Sequence, residues 1–155
     1  MFRLTRRTWS RIGMAAVGVF AAIQFVPYGR QHTNPAARDE PAWDSPETRA
    51  LAERACYDCH SNETKWPIYS NVAPVSWLVQ HDVDEGRSKL NLSEWTRPQK
   101  DADESAREVR RGDMQMAIYV LMHPGARLDA AERARLADGL AKTLGDRDLK
   151  ASHAR

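Results

Sequence analysis

Cysteine is scarce in this chain, with two in 155 residues. Cys56 and Cys59 are separated by only two residues. So short a loop gains little from a crosslink, which argues against a structural disulfide and for redox chemistry, a metal or a covalent cofactor. Acidic residues are missing from the N-terminal stretch, Asp39 being the first. Strand-like alternation is lacking and no segment repeats, so the chain reads as all-α. Nor is there a basic face with interleaved aromatics, which excludes a nucleic-acid footprint. At 155 residues there is room for one modest domain and an anchor, and not for two full cores.

The charge that is present divides unevenly. Residues 1–30 hold five arginines and no acid, and the remainder has 18 Lys+Arg against 21 Asp+Glu, so an overall charge of +2 conceals a body of −3. Arg3, Arg6, Arg7 and Arg11 precede an apolar stretch from Ile12 to Val26 broken only by Gln24. This pattern predicts an export or anchoring segment with its positive flank in the cytoplasm. Trp9 and Tyr28 bracket the stretch like interfacial aromatics, roughly 30 Å apart along a helix. Ala21-Ala22 is followed by Ile23, Gln24 and Phe25 and not by a polar mature start. One uncleaved N-terminal membrane helix over residues 1–28 is therefore expected, a cleaved signal segment being the alternative.

Residues 29–44 are polar, carry Pro35 and Pro41, and read as a tether. Residues 45–145 form the expected domain, and residues 146–155 a charged tail. Ser45, Pro46 and Glu47 resemble a cap, a first-turn proline and a first-turn acid, opening a helix that delivers Cys56. Ser61 to Ser76 should be an irregular loop with Trp66 and Tyr69, followed by a short helix containing Trp77, Leu78 and His81 before Gly86. Asn91 to Pro98 turns again around Trp95. A polar helix over Gln99 to Arg111 ends at Gly112, and the apolar segment Asp113 to Met122 ends at His123-Pro124-Gly125. Asp129 and Glu132 then open a terminal helix with Leu136, Leu140 and Leu144 on one face.

The strongest signal is Cys56-Tyr57-Asp58-Cys59-His60, a CxxCH sequence. Two thiols three positions apart on one turn can each add to a haem vinyl group, which places the adjacent imidazole beneath the iron. One covalent haem c at Cys56 and Cys59, with His60 as proximal iron ligand, is the expectation. Dithiol redox chemistry would want a βαβ context, and a zinc site a fourth ligand that no second CxxC or HxxxH supplies. The other ring nitrogen of His60 needs an acceptor, expected among carbonyls of the Pro67 to Pro74 loop. Met114, just beyond Gly112, is the first candidate for the distal ligand. Met116 is the alternative, with His81 and His123 as further donors, and both methionines could equally be core residues. Trp66, Tyr69, Trp77 and Trp95 are candidates for packing on the macrocycle.

The segments ACYDCHSNETKWPIYSNVAPVSWLVQHDVDEGRSKLNLSEW and GDMQMAIYVLMHPGARLDAAE resemble the bacterial family of haem-binding domain proteins, over roughly residues 20–145. That family is cytochrome c-like and often tethered by an N-terminal helix ending in a motif such as Gln24-Phe25. The resemblance implies a small helical domain with long irregular haem-covering loops, covalent haem at Cys56 and Cys59, ligation by His60 and a periplasmic location. The family's later block is usually GEMP, so Met114 stays in register while Gln115 replaces the proline. No acid–base pair or nucleophile stands out, so no enzyme is expected. The leading expectation is a single-haem electron carrier at the periplasmic face of the inner membrane, serving an unidentified redox protein. The alternatives are a haem-based small-ligand sensor with an open or weakly ligated distal site, and an accessory subunit whose haem stabilises its fold.

Overall fold

A computed structural model describes residues 5–146. Arg3 and residues 147–155 of the expected tail lie outside that range. The described residues are helical without a strand, and one isolated bridge pairs Asp39 with Glu94. The chain divides into two units, Met1–Thr33 with Trp66–Asp82, and Asn34–Lys65 with Val83–Arg155.

In the first unit, Thr5 caps helix α1 (Arg6–Ile23) by accepting the Thr8 N–H. None of the helix is buried, and Trp9, Met14, Val17, Val19 and Phe20 are exposed. No helix among the described residues is long and apolar enough to cross a membrane, so the expected membrane-spanning helix over residues 1–28 is not supported. Arg6, Arg7 and Arg11 lie inside the helix, so its uncharged part, from Ile12 to Ile23, covers about 18 Å. A bilayer core needs about 30 Å. Beyond the helix, the Gln24 amide donates to the Ala73 carbonyl at 2.9 Å and accepts the Ala73 N–H at 3.1 Å. Gly29, at φ 79°, backs onto the Ser76 carbonyl so closely that a Cβ would overlap it. The expected irregular loop contains one 3-10 turn, Ile68–Asn71. Helix α4 (Val75–Lys89) starts in this unit and, contrary to expectation, does not stop before Gly86.

In the second unit, Ser45 accepts the Thr48 N–H at 3.1 Å and Pro46 occupies the first turn of α2 (Pro46–Ala55), as the sequence predicts. A single short turn, α3 (Tyr57–His60), follows. Helix α5 (Ser105–Arg111) begins later than Gln99, because the Gln99 side chain is engaged by the Asn91 N–H and the Glu94 carbonyl in the preceding turn. It ends on Gly112 in the left-handed conformation. Helix α6 (Ala117–Met122) leads through the 3-10 turn Pro124–Ala126 to α7 (Ala130–Leu144), which carries the predicted Asp129–Glu132 capping box. Leu136, Leu140 and Leu144 join Leu51, Ala55, Leu92 and Val109 in the core where α7 meets α2 and α5. Each fully buried leucine contributes roughly 1.5–3 kcal/mol. At Gly139 a Cβ would overlap the Thr48 side chain, so glycine permits this close packing.

The presumed tether is laced onto the second unit from Ala36 onward. The Arg38 N–H donates to the Ser93 carbonyl at 2.9 Å, the Thr96 N–H to the Asp39 carboxylate at 2.6 Å, and the Asn62 amide to the Ala36 carbonyl at 3.3 Å. Glu40 accepts two bonds from Arg49, at 2.8 and 2.7 Å, and one from the Trp43 indole at 2.8 Å. Asp146, assigned above to the tail, is buried and bonded by Arg110 at 2.7 Å.

The Arg49 hydrogen bonds hold the Glu40 carboxyl below its ordinary value of 4.5. The stabilisation is therefore present above about pH 4.5 and lost as pH falls through the folded-state value. Glu40→Gln should lower the urea midpoint near neutrality, with the gap from wild type narrowing towards pH 3. A gap independent of pH would show that the carboxylate charge is not what stabilises.

Candidate functional site

Helix α2 hands the chain directly to the chemically distinctive residues. The Cys56 N–H still bonds to the Ala52 carbonyl at 2.8 Å, but its backbone then leaves the helix. The Cys56 carbonyl accepts the N–H groups of Cys59 at 3.2 Å and His60 at 2.9 Å. Both cysteines and the histidine thus share one tight turn, and no disulfide joins the pair. Burial, with the neighbouring Cys59 adding to it, pushes the Cys56 thiol up to about 12. At neutral pH that thiol stays protonated, unlike the low-pKa thiolate that dithiol exchange requires.

The ring of His60 is fixed from one side. Its Nδ1 lies 3.2 Å from both the Gly86 and the Leu90 carbonyl oxygens at the C-terminal end of α4. Both neighbours are acceptors, so Nδ1 carries the proton and Nε2 holds the lone pair. Burial holds the imidazole below its ordinary protonation range, which keeps it neutral. Among the described residues no hydrogen bond uses Nε2. The acceptors were expected in the Pro67 to Pro74 loop. They lie instead at the C-terminal end of α4, because that helix continues past Gly86: the Gly86 carbonyl also accepts the Leu90 N–H at 2.9 Å, and Leu90 directly follows the last helical residue.

Gly86 and Arg87 are site residues that the spacing argument missed. A Cβ at Gly86 would overlap the Cys59 carbonyl, so the helix backbone rests directly on the cysteine turn. Arg87 Nε donates to the Ser61 carbonyl at 2.7 Å, and its Nη2 to Thr64 Oγ1 at 2.9 Å. The available signal was a glycine placed among helix-compatible residues, which costs stability unless something approaches closely.

The opposite flank is tied through side chains. Tyr119 on α6 donates its hydroxyl to the Asp58 carboxylate at 2.7 Å, and the Lys65 N–H donates to the same carboxylate at 3.0 Å. Burial, reinforced by Asp58, pushes the Tyr119 phenol well above its ordinary range and keeps it a donor. The Tyr119 ring stacks on His123 at 4.4 Å, and His123 Nδ1 lies 3.1 Å from the Tyr119 carbonyl. Met114 belongs to the same segment, is 42% exposed, and bonds through its N–H to the Glu108 carbonyl at 3.3 Å. Met116 is half-buried and precedes α6. Ile118, Leu121 and Met122 of α6 are exposed.

The candidate aromatics divide. Trp95 packs against the core of the second unit, which accounts for it without a cofactor. Trp66, Tyr69, Trp77 and His81 belong to the first unit. There Trp66 stacks on His32 at 4.7 Å, and His32 Nε2 lies 2.9 Å from Ser70 Oγ. The Trp77 indole N–H is buried without a hydrogen-bond partner among the described residues.

These residues fit a haem. Two thiols sit three positions apart on one turn beside a neutral imidazole whose Nε2 is unengaged, and α6 offers apolar surface of the kind a flat apolar group covers. The Gly86 contact can be tested directly. Gly86→Ala should destabilise the protein by at least the roughly 1–3 kcal/mol typical of overpacking, read as a lower urea midpoint. Ser88→Ala, at an exposed position of the same helix, should change it little. Equal midpoints for Gly86→Ala and wild type would mean that close approach is not required.

No curated protein and no solved structure matches this chain. The haem-binding domain family matches it over residues 18–142, a span that includes Cys56, Cys59, His60 and Met114. On that match, the chain belongs to the haem-binding domain family.

Proposed function

We propose that this protein carries one covalent haem c, linked at Cys56 and Cys59, with His60 Nε2 as the proximal iron ligand and the Met114 thioether as the distal one. It works as a non-enzymatic electron carrier at the periplasmic face of the bacterial inner membrane, exchanging electrons with another redox protein. The observation that carries this reading is the His60 ring, held neutral with Nδ1 bonded to the Gly86 and Leu90 carbonyls. Such outer bonding fixes a histidine ligand's tautomer and orientation and raises its basicity.

Attachment needs no oxidant. Each thiol would add across a vinyl group, its sulfur bonding one carbon while the thiol hydrogen went to the other. The bound group supplies a one-electron iron couple. Asp58 and Tyr119 hold the attachment turn against α6. Met114 contributes a soft thioether that favours ferrous iron and raises the potential, and Met116 is the substitute should the loop shift by two residues. Arg6, Arg7 and Arg11 ahead of the exposed apolar run of α1 support an export segment whose apolar run engages the membrane.

The exposure of Met114 favours one second reading, a binding module in which a small ligand displaces a weak distal thioether. Spectroscopy of protein made with haem-attachment machinery separates the two. Haem staining should survive a denaturing gel, weaken in Cys56→Ala and in Cys59→Ala, and vanish in the double variant. A low-spin spectrum with a sulfur-to-iron band that disappears in Met114→Ala supports the carrier. Covalent but high-spin haem supports the binding module, and absence of covalent haem despite active machinery overturns both.

A further inference from the structure

Gln115 follows Met114 and is the polar residue at the head of an otherwise apolar segment. Its Nε2 donates to the Ala126 carbonyl at 2.6 Å and to the Ala55 carbonyl at 3.3 Å. Ala55 is the last residue of α2, immediately ahead of Cys56. Ala126 is buried and closes the 3-10 turn after α6. One side-chain amide therefore joins three segments: the end of the helix that delivers the cysteines, the loop that carries Met114, and the turn beyond α6. The loop needs such a tie. It leaves α5 through Gly112 in the left-handed conformation, with the Asp113 and Met114 N–H groups on the Glu108 carbonyl, and beyond that point the Met114 side chain is substantially exposed.

We infer that Gln115 is the positioning residue of the distal side, holding Met114 in place by clamping its loop to the main chain ahead of Cys56. In its functional sense this rests on the reading of Met114 as the distal ligand; the clamp itself rests on geometry alone. The chemistry is specific to an amide. A primary amide has two N–H groups and can serve two carbonyls at once, a carboxylate in the same place donates none and repels both, and alanine leaves both without this donor. Two such bonds together shift the balance between the clamped and released loop by about tenfold.

The test uses the haem-loaded full chain with Gln115→Ala and Gln115→Glu. Amide hydrogen exchange over residues 113–117 should quicken about tenfold in both variants, with α7 unchanged. The ferric variants should also bind imidazole about tenfold more tightly than wild type, because a released thioether competes less well for iron. Unchanged exchange overturns the clamp. Faster exchange with unaltered imidazole affinity overturns the positioning role and leaves only a structural tie. Met114→Leu is the separating arm: if it leaves the wild-type spectrum unaltered, the ligand assignment fails, and exchange alone decides the clamp.

Discussion

The second unit is organised by the contact between the last turn of α4 and the cysteine turn. At Gly86 the helix backbone lies directly on the Cys59 carbonyl, and the Gly86 oxygen together with that of Leu90, one turn on, faces His60. The two effects require each other. Without the close approach the carbonyls would be out of reach of Nδ1, and without the histidine the Leu90 carbonyl would end a helix beside a buried surface short of a donor. Arg87 and the Leu92 N–H extend the same seam, the latter bonding to the His60 carbonyl at 2.8 Å. Main-chain acceptors orient the imidazole, so its direction depends on helix placement and not on a side chain with its own rotamer freedom.

That placement depends on the hydrophobic core. The C-terminus of α2 delivers Cys56, so any looseness of α2 would be transmitted to the turn. Leu51, Ala52 and Ala55 on α2 face Leu136, Ala137 and Leu140 on α7, and the Thr48–Gly139 contact lets the two helices close. Arg54 pairs with Glu132 at 2.6 Å across the same interface, but partly exposed pairs of this kind contribute about 0–1 kcal/mol. Apolar burial, with close packing at glycine, carries the interface.

What could be read from the sequence was local. The Ser45 and Asp129 caps, the Gly112 stop and the spacing of Leu136, Leu140 and Leu144 each act within one or two turns, and so do the residues that set Cys56, Cys59 and His60 on one turn. What could not be read depends on partners far away in the chain. The acceptors of His60 lie 26 and 30 residues on. Asp39 and Glu40 look like the charges of a free tether until Thr96 and Arg49 are placed beside them. Trp95, a candidate for covering the cofactor, packs against the core of the second unit, which draws on residues distant in sequence. The first helix misled for a different reason: composition counted Trp9 and Tyr28 as its ends, whereas the helix includes its arginines and stops at Ile23.

The two sides of the cysteine turn are held by different kinds of bond. On the His60 side the partners are carbonyls of a continuous helix, which move only if the helix moves. On the Met114 side they are side chains, the Gln115 amide from the loop ahead of α6 and the Tyr119 hydroxyl from α6 itself, reaching back to Ala55 and Asp58. With no buried residue in α6, the second side is the one with the lower local stability. With Met114 as the proposed distal ligand, this arrangement would hold the histidine direction constant and leave the strength of the methionine bond adjustable. Under the proposed carrier function that asymmetry would be useful, since the reduction potential would respond to the distal thioether while the cysteine turn stayed fixed. On the proposed reading, Gln115 would matter more than its two hydrogen bonds suggest, because it ties the adjustable side to the main chain ahead of Cys56.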